Sequence, residues 1–378
     1  MRVALVCDWF LHRLGGIELH LRDLAIALRA RNIDARVVTT TRGPTDVDGV
    51  PVHRVPAALA PSAGFAFAPR ALTRVAGLLE RERFDVVHAH ASVVSPVAYA
   101  GALAGARLAR PTVLTFHSML HNSAFLLGAS EALFGWSRER IVLSAVSSVV
   151  AAQAARWLPG ASVAILPNGV DVGFWQQRRD TVDRRRGSVV FVSAMRLSRK
   201  KRPARLLRAF AAARRLASGE PDMRLVLAGE GPDRIALGRL TASLGIAEHV
   251  ELPGQVSRTE LRRLFARADA FVLPSERESF GLAALEARAA GLPVIAMLAS
   301  GARDFIAQGV NGILARDERE LAVAIGRVAL DPAFRAYVAR QNAALPPPYD
   351  WSDVASLHEG VYAAAGALRA GAERASQG

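Results

Sequence analysis

The length and composition of the chain, 378 residues with 51% hydrophobic and 22% charged, favour two domains at roughly 150 residues each. No apolar run reaches the ~20 residues of a membrane span, and the apolar stretch in the start MRVALVCDWF is too short for a signal peptide. A single cysteine, Cys7, excludes a disulfide framework and a thiolate zinc site. We therefore expect a cytoplasmic protein.

The net charge of +14 favours anionic partners such as nucleotides or phospholipid surfaces. We do not expect nucleic acid, because the sequence has no recognisable nucleic-acid module and no basic stripe interleaved with aromatic residues. Among 48 lysine and arginine residues, only Lys200 and Lys201 are lysines. Lysine suits a phosphate as a compact point charge, so this pair marks a candidate phosphate site; the alternative is chance placement of two rare residues.

The first half of the chain alternates apolar strands with helices. Residues 3–7 predict a buried strand, and the pair Gly15–Gly16 precedes an amphipathic helix. A strand, a glycine-rich loop and a helix in this order let the backbone approach a phosphate, although two glycines also make an ordinary turn. Further strands are predicted at 34–40, 84–90, 110–119 and 141–148, and helices at 70–83 and 149–158. This alternation predicts a parallel sheet covered on both faces.

A polar, charge-dense segment at 172–188 predicts an interdomain linker, after which the strand and helix pattern restarts. The predicted domains are therefore 1–171 and 189–350. A last helix is predicted at 351–370, followed by a disordered tail at 371–378.

The segment 269–295, DAFVLPSERESFGLAALEARAAGLPVI, predicts a strand, a polar loop, a helix and a second strand. Ligands of such βαβ units lie outside the carboxyl ends of the strands. Glu278 and Glu286 frame the junction of loop and helix, and the amides of residues 280–282 would face an anion. The segment therefore predicts a site with carboxylates for sugar hydroxyls and amides for phosphate.

Short motifs in a specific order support this interpretation over nearly the whole chain. They are GGIE at 15–18, TFH at 115–117, PNGVD at 167–171, RLSRKK at 196–201, LAGEGPD at 227–233, GQV at 254–256, ESFGLAALE at 278–286 and NG at 311–312. With them the chain resembles the retaining glycosyltransferases of the GT-B fold, in glycosyltransferase family 4 (GT4, glycosyl transferases group 1). The resemblance implies an α/β fold with two Rossmann-like, doubly wound parallel-sheet domains facing a deep cleft. It also implies that the last helix crosses back to the first domain and that domain closure assembles the site.

The resemblance further implies an activity. A hexosyl unit would pass from a nucleotide diphosphate sugar, a UDP- or GDP-sugar, to a hydroxyl acceptor with retention, and neither a cofactor nor a metal is expected. The donor-binding residues implied by the resemblance are Gly15, Gly16, Arg196, Lys201, Gly229, Val256, Glu278, Phe280, Gly281, Leu282 and Glu286. Negative charge grows on the departing diphosphate, so fixed cations such as Arg196 and Lys201 are what this chemistry needs. Glu278 is assigned to the sugar hydroxyls and Glu286 to the ribose.

His117 resembles the family histidine that lies close to the transferred sugar, and together with Arg196, Lys201 and Glu278 it completes the implied catalytic set. Its role would be to position the donor and stabilise an oxocarbenium-like state; a purely structural histidine is the alternative. The acceptor contacts are expected from Asp8, His12, Glu18, His88 and His90. A zinc site at His88 and His90 is a further alternative, disfavoured because no cysteine or paired His–Glu motif lies near them.

The sequence departs from the family pattern in three places. Met195 stands where glycine usually precedes the arginine, and Arg202 stands where glycine usually follows the lysine, so that this turn is expected to differ. Asp304 replaces the glutamate that usually ends a later motif, which puts that contact in doubt.

Residues 57–83 mix aromatic and leucine side chains with arginines, which suits an interfacial helix on anionic lipid at the inner face of the cell membrane. An ordinary amphipathic helix packed on the sheet explains them equally well. The acceptor is accordingly left open between a lipid-linked hydroxyl and another small glycoside.

Two other activities remain as alternatives. A non-catalytic nucleotide-sugar-binding subunit would share the fold. A glycan phosphorylase is disfavoured, because it needs a lysine for pyridoxal phosphate and the chain has lysines only at 200 and 201.

Overall fold

The computed structural model describes the backbone of residues 1–11, 15–55, 69–119, 128, 140–158, 160–176 and 187–377, and the side chains of these residues except 69–72 and 372–377. His12 and residues 57–68 lie outside these ranges. The chain divides into two compact units. The first unit contains Met1–Gly169 and Tyr349–Gly378, and the second contains Val170–Pro348.

The first unit is built on an eight-stranded sheet in the order β3-β4-β2-β1-β5-β6-β7-β8. Its strands are β1 (Arg2–Cys7), β2 (Asp34–Thr39), β3 (Asp46–Val47), β4 (Val50–Arg54), β5 (Val86–Ala91), β6 (Thr112–Phe116), β7 (Ile141–Ala145) and β8 (Val163–Ile165). Every neighbouring pair is parallel except β3 and β4. The chain leaves β1 toward β2 on one side and later returns beside β1 with β5, so the strand order reverses between β1 and β5.

Helices cover both faces of this sheet. They are α1 (Gly16–Ala30), α2 (Pro69–Arg81), α3 (Pro96–Arg107), α4 (Ser148–Ala155) and the last helix, α12 (Trp351–Gln377). Side chains alternate along a strand, and on β1 Val3 and Leu5 share a core with α1 and α12. Val6 points to the other face, where a Cβ on Gly101 of α3 would lie 2.6 Å from its Cγ1.

The sequence analysis missed helix α3. Its sequence, PVAYAGALAGAR, is rich in alanine and glycine and is buried on several sides, so it lacks the apolar stripe that marks an amphipathic helix. Close packing requires these small residues. A Cβ on Gly105 would lie 2.7 Å from Thr112 Oγ1, so a larger residue would push the helix off the sheet.

The second unit is built on a six-stranded parallel sheet in the order β11-β10-β9-β12-β13-β14. Its strands are β9 (Ser188–Ala194), β10 (Asp222–Ala228), β11 (Val250–Gly254), β12 (Ala270–Leu273), β13 (Val294–Met297) and β14 (Gly312–Ala315). Its helices are α5 (Val172–Trp175), α6 (Pro203–Leu216), α7 (Arg234–Ser243), α8 (Arg258–Arg267), α9 (Leu282–Ala289), α10 (Glu318–Leu330) and α11 (Pro332–Ala344), with short 3-10 turns at Arg199–Lys201, Ala247–His249 and Gly301–Asp304. Here the strand order reverses between β9 and β12.

The observed boundaries differ from the predicted ones at two places. The predicted linker 172–188 begins with the helical turn α5, which Asp171 caps through a 2.8 Å bond from the Phe174 amide, and Trp175 is fully buried. The tail predicted to be disordered instead continues α12 to Gln377. Its sequence AERASQ contains no proline, and its alanines and charged residues favour a helix.

Among the described residues, none of the helices combines the length and the apolar character needed to cross a bilayer.

Candidate active site

The loops that follow β9 and β12 meet where the strand order of the second sheet reverses. In open α/β sheets this crevice, outside the carboxyl ends of the strands, is where ligands bind. Strand β9 ends at Ala194 and β12 at Leu273, and the two strands pair in parallel. The predicted residues Arg196 and Lys201 follow the first strand, and Glu278 follows the second. The topology therefore brings these three residues to one edge of the sheet.

Lys201 and Glu278 form an ion pair at this edge, with Nζ donating to Oε2 at 2.5 Å. Their side chains are 28% and 15% exposed, so the pair is partly shielded from water. A second contact ties the same two loops, because Ser275 Oγ donates to the carbonyl of Lys200 at 3.3 Å. The side chains assigned to diphosphate and sugar thus lie together in the second unit.

The turn from Lys201 into α6 has a strained backbone at Arg202. Arg202 has φ +59° and ψ +38°, the left-handed conformation that favours glycine. The following Pro203 begins α6, where its missing amide hydrogen is not needed. Arg202 therefore adopts the left-handed backbone conformation that glycine would adopt at this position.

The loop that carries Arg196 is anchored by its next residue, Leu197. Leu197 is fully buried, and its amide donates to the carbonyl of Glu230 at 2.9 Å, while Arg196 itself is exposed. Gly229, at the end of β10, has φ +136° and donates to Gly254 at 2.7 Å. The half-buried Val256 follows β11, next to the capping box that starts α8.

Helix α9 begins at the same edge. Its N-cap, Gly281, has φ +98°, and Phe280 is buried with its ring 5.4 Å from that of Phe305. The amide of Gly301 donates to the carbonyl of Glu278 at 2.8 Å, which fixes the loop before the helix. Because the Phe280 side chain lies in the core, a ligand contact at this position would use the backbone. Leu282, the first residue of α9, is half-buried.

Glu286 lies in the middle of α9 and approaches Arg258 of α8 at 3.8 Å. The same guanidinium lies 5.3 Å from the ring centroid of Phe174, which is cation–π geometry. Glu286 is 19% exposed at its side chain, so its carboxylate is accessible to a ligand.

In the first unit, Asp8, which is expected to contact an acceptor, has a structural role. The residue is buried, and its carboxylate accepts hydrogen bonds from the amides of Val97 and Ala98 at 3.0 and 3.2 Å. These amides open α3, so Asp8 caps a helix from a distant part of the chain. Burial raises the pKa of the Asp8 carboxyl to about 6, against the opposing effect of these hydrogen bonds.

This raised pKa predicts a pH dependence of stability. The folded protein holds the Asp8 proton up to about pH 6, whereas the unfolded chain releases it near 3.8, so the stabilising contribution is present at low pH and lost as pH rises. Relative to Asp8→Asn, the wild-type free energy of unfolding should fall by about 2 kcal/mol between about pH 4.5 and about pH 7.5. Urea titrations of both proteins measure it, and a pH-independent difference would contradict the assignment.

The glycine loop before α1 packs against the carboxylate of Glu18. Gly15 is the N-cap of α1, and a Cβ at this position would lie 2.3 Å from Oε2 of Glu18. Glu18 is buried in the first turn of the helix, where a negative charge is favoured by the helix dipole. Gly16 is exposed, and the predicted contact of His12 lies outside the described residues. Gly15 therefore makes room for Glu18, a role that the motif did not reveal.

His88, which is expected to contact an acceptor, is hydrogen-bonded within the first unit. It is fully buried, with Nδ1 3.0 Å from the hydroxyl of Tyr362 and Nε2 2.6 Å from Oγ1 of Thr115. Both ring nitrogens are used inside the first unit, so neither is available to an acceptor or to a metal. His88 and His90 are two residues apart on β5 and point to the same face of the strand, with their ring centroids 4.0 Å apart, but their ring nitrogens have different partners.

His90 and His117 are hydrogen-bonded to each other, with Nδ1 of His90 2.9 Å from Nε2 of His117. His90 is the second-last residue of β5. His117 directly follows β6, and its amide donates to the carbonyl of Ala91 at 2.8 Å. The two residues are 2% and 4% exposed. Sequence reasoning placed His117 on the donor side and His90 on the acceptor side, whereas the structure joins them as one pair.

Two further buried histidines, His20 and His358, extend this pair into a cluster that sequence reasoning missed. The ring of His20 lies 5.2 Å from that of His117, and the ring of His358 lies 5.5 Å from that of His88. Both occupy core-facing helical positions: His20 lies beside Leu21 on α1, and His358 is one turn from Tyr362 on α12. A histidine in the apolar stripe of a helix was the signal available. The histidine cluster comprises His20, His88, His90, His117 and His358.

Burial is the main reason why the pKa values in this cluster are low. It lowers the pKa of His117 to about 3 and that of His358 to about 4, and the nearby His358 further opposes a positive charge on His117. The pKa values of His20, His88 and His90 lie well below the usual value for the same reason. The cluster is therefore neutral at physiological pH, and within the described residues Nδ1 of His20 and Nε2 of His90 have no hydrogen-bond partner.

Comparison with family models divides the chain at nearly the same place as the structure. Residues 14–174 match the family "Glycosyltransferase Family 4", and residues 176–344 match "Glycosyl transferases group 1". The first match covers the first sheet except β1, and the second match covers all six strands of the second sheet.

Named relatives point the same way. The chain is 31% identical to a D-inositol 3-phosphate glycosyltransferase of Streptosporangium roseum, over 77% of this chain and 72% of the relative. It is 33% identical to a GDP-mannose-dependent alpha-mannosyltransferase of Mycolicibacterium smegmatis, over 83% and 84%. Among solved structures, Anabaena HepE in complex with UDP and glucose matches 96% of this chain and 100% of its own, with a TM-score of 0.76 at 23% identity. The last comparison concerns the fold alone.

Proposed function

The chain is a glycosyltransferase of family 4 with the GT-B fold, and we propose that it transfers a hexosyl unit from a UDP- or GDP-sugar to a hydroxyl acceptor. In this proposal the anomeric configuration is retained and no divalent metal assists the departing diphosphate. The bond between the anomeric carbon and the diphosphate oxygen breaks, and a bond from that carbon to the acceptor oxygen forms. The acceptor hydroxyl gives its proton to an oxygen of the departing diphosphate.

The observation that carries the proposal is the Lys201–Glu278 pair at the reversal point of the second sheet. A diphosphate needs fixed positive charge where its negative charge develops, and Lys201 and the exposed Arg196 lie on one loop to supply it. A sugar needs acceptors for its hydroxyl protons, and Glu278 offers a carboxylate within hydrogen-bond distance of that cation. The pair thus holds both charges ready before a donor arrives, which lowers the cost of ordering them.

The remaining donor contacts follow the same edge. We assign the ribose hydroxyls to Glu286, whose carboxylate is partly exposed on α9, and the phosphate to the amides of Phe280, Gly281 and Leu282 where α9 begins. Gly229 and Val256, at the ends of β10 and β11, are assigned to the nucleotide.

In the first unit we assign to His117 the positioning of the donor sugar. Its ring nitrogen is held by His90, so His90 acts through His117 rather than on substrate. A neutral imidazole suits this role, because it can accept or donate a hydrogen bond without repelling a cationic, oxocarbenium-like state.

The names of two relatives guide the choice of substrates. One relative is named for GDP-mannose and another for inositol 3-phosphate. GDP-mannose therefore comes first in the panel of donors, followed by UDP-sugars. Inositol phosphates come first in the panel of acceptors, followed by small glycosides. A lipid-linked hydroxyl is retained in the acceptor panel because of residues 57–83. In their described part, α2 buries Val75 and Leu79 and exposes Arg74, which fits an amphipathic helix packed in the first unit.

Thermal unfolding in the presence of UDP, GDP, ADP and their common sugars tests the donor site. We expect one base to raise the Tm, because a ligand that binds only the folded state stabilises it by mass action. Slow release of free sugar from that donor without an acceptor then separates an enzyme from a non-catalytic binding subunit. NMR of the product formed at early times reports whether the anomeric configuration is retained.

A matched pair of variants decides whether the assigned residues form that site. Glu286→Ala should abolish the shift in Tm, whereas Glu248→Ala, a change at the 3-10 turn Ala247–His249, should leave it intact. A full shift in the Glu286 variant would place the donor site elsewhere.

A further inference from the structure

Three histidines of the first unit place their ring nitrogens close together. One ring nitrogen from each of His20, His90 and His117 lies within 4.8 Å of one from each of the others, and all three residues are buried. They come from α1, from β5 and from the loop after β6, so distant parts of the chain converge on one point. All three residues belong to the first unit, whereas the donor loops belong to the second.

Two nitrogens of this group have no hydrogen-bond partner within the described part of the chain. They are Nδ1 of His20 and Nε2 of His90, both completely shielded from solvent. An unsatisfied buried polar atom costs about 1–3 kcal/mol, so each such atom in a folded protein calls for an explanation. His88 and His358 differ, because His88 uses both nitrogens and His358 donates Nδ1–H to the carbonyl of Val354 at 2.7 Å.

We propose that His20, His90 and His117 form a binding site for a divalent transition-metal ion. Three imidazoles suit zinc, cobalt, nickel or copper, and they leave a fourth position open on a tetrahedral ion. No carboxylate or thiolate belongs to the group, so magnesium and calcium, which prefer oxygen ligands, are not expected to bind.

The side chains need only local adjustment to bind an ion. Two nitrogens on a tetrahedral ion with bonds of about 2.0 Å are about 3.3 Å apart. Nδ1 of His90 and Nε2 of His117 are now 2.9 Å apart, and the widest separation in the group is within 4.8 Å. One ring must therefore turn inward. The hydrogen bond between Nδ1 of His90 and Nε2 of His117 must also open, so that Nε2 of His117 and either the unpartnered Nε2 of His90 or its released Nδ1 can bind the ion.

The protonation state of the three histidines favours metal binding. Ligand histidines must be neutral, and burial keeps the pKa of each of these three below the usual value. A bound ion would join α1 to the central strands of the sheet, and it would stabilise the first unit by mass action. It would also take the His117 ring away from a donor sugar, so occupancy and transfer should compete.

The test uses the full chain without a histidine tag, stripped with EDTA and dialysed against Zn²⁺, with Co²⁺ as the spectroscopic probe. We expect one equivalent of Zn²⁺ to bind, a visible ligand-field spectrum for bound Co²⁺, and a rise in Tm on adding either ion. His20→Phe, which keeps a ring but removes the ligand, should weaken binding by more than about 10-fold. His90→Ala should do the same.

His249→Ala removes a histidine of the second unit and serves as the matched control, with binding expected to be unchanged. Circular dichroism and the Tm in EDTA establish that each variant is folded without metal. Retention of no Zn²⁺ by the wild-type chain overturns the proposal, and so does equal retention by a folded His20→Phe variant. The Zn²⁺ stoichiometry, the Co²⁺ spectrum and the rise in Tm all report metal binding, so none of them depends on the proposed transfer activity.

Discussion

Replacing Lys201 by alanine should abolish the rise in Tm that the nucleotide donor produces and should lower the rate of transfer by about 100- to 1000-fold. The lysine is one of two cations assigned to the diphosphate, and it is the partner of Glu278 at 2.5 Å. Its loss would remove positive charge and leave a carboxylate that is only 15% exposed facing the phosphates. Repulsion would then replace attraction at the leaving group.

The neighbouring lysine offers a matched control. Lys200 is exposed, its hydrogen bond to Ser275 uses the backbone carbonyl, and its ammonium group interacts with Glu278 only through Coulombic attraction. Lys200→Ala should therefore keep the shift in Tm and change transfer by less than about 3-fold. A single charge is removed in both variants, so a general effect of net charge on an anionic donor would weaken both alike.

A double variant separates stability from function. Adding Glu278→Gln to Lys201→Ala removes the unpaired carboxylate, and the Tm without ligand should recover toward the wild-type value. Transfer should not recover, because the diphosphate still lacks its cation and the sugar has lost its carboxylate. Transfer that returns with the Tm would show that Lys201 acts only by stabilising the loop, which would contradict the proposed donor site.

The donor side of the site was predictable because its residues lie at fixed positions in short motifs. The resemblance assigned Arg196, Lys201 and Glu278 to one donor site, and the strand-end rule placed the loop of Glu278 at a ligand site. In the structure all three residues follow strands that end at the same edge of the second sheet. The parallel sheets followed from the alternation of apolar strands and helices in the same way. What the sequence did not reveal is that Lys201 and Glu278 pair with each other, since that depends on side-chain conformation.

The first unit was less predictable because its important contacts join distant segments. Asp8 caps α3, a helix that lacks an amphipathic pattern, so neither partner of this contact was visible alone. His20 and His358 lie in the apolar stripes of their helices, where the sequence pattern predicts only an ordinary core residue. Only the packing of α1 and α12 on the same sheet face brings them beside His88, His90 and His117.

Gly229→Ala should destabilise the second unit by about 3 kcal/mol or more and should also abolish donor binding. Gly229 has φ +136°, a conformation that residues with a side chain rarely adopt. A Cβ would lie 1.8 Å from the carbonyl oxygen of Met195, a backbone atom that cannot turn away as a side chain could. The end of β9 would have to move, and with it the loop that carries Arg196 and Lys201.

A second glycine in the same unit separates this steric effect from a general cost of replacing glycine. Gly238 lies in the middle of α7, and a Cβ there would meet no atom within 4 Å. Gly238→Ala should therefore stabilise the protein by roughly 0.5–1 kcal/mol, because alanine favours a helix more than glycine does. Urea unfolding followed by circular dichroism measures both changes, and limited proteolysis locates the weakened unit.

The two variants together test how the donor loop is held. Since the amide of Gly229 also bonds to Gly254 at 2.7 Å, the glycine ties the ends of three neighbouring strands, β9, β10 and β11. If Gly229→Ala keeps both its stability and its nucleotide-induced shift in Tm, the loop carrying Arg196 does not depend on this junction. If stability falls and the shift survives, Gly229 supports the fold without shaping the donor site. Loss of both, beside a stabilised Gly238→Ala, is the result we expect.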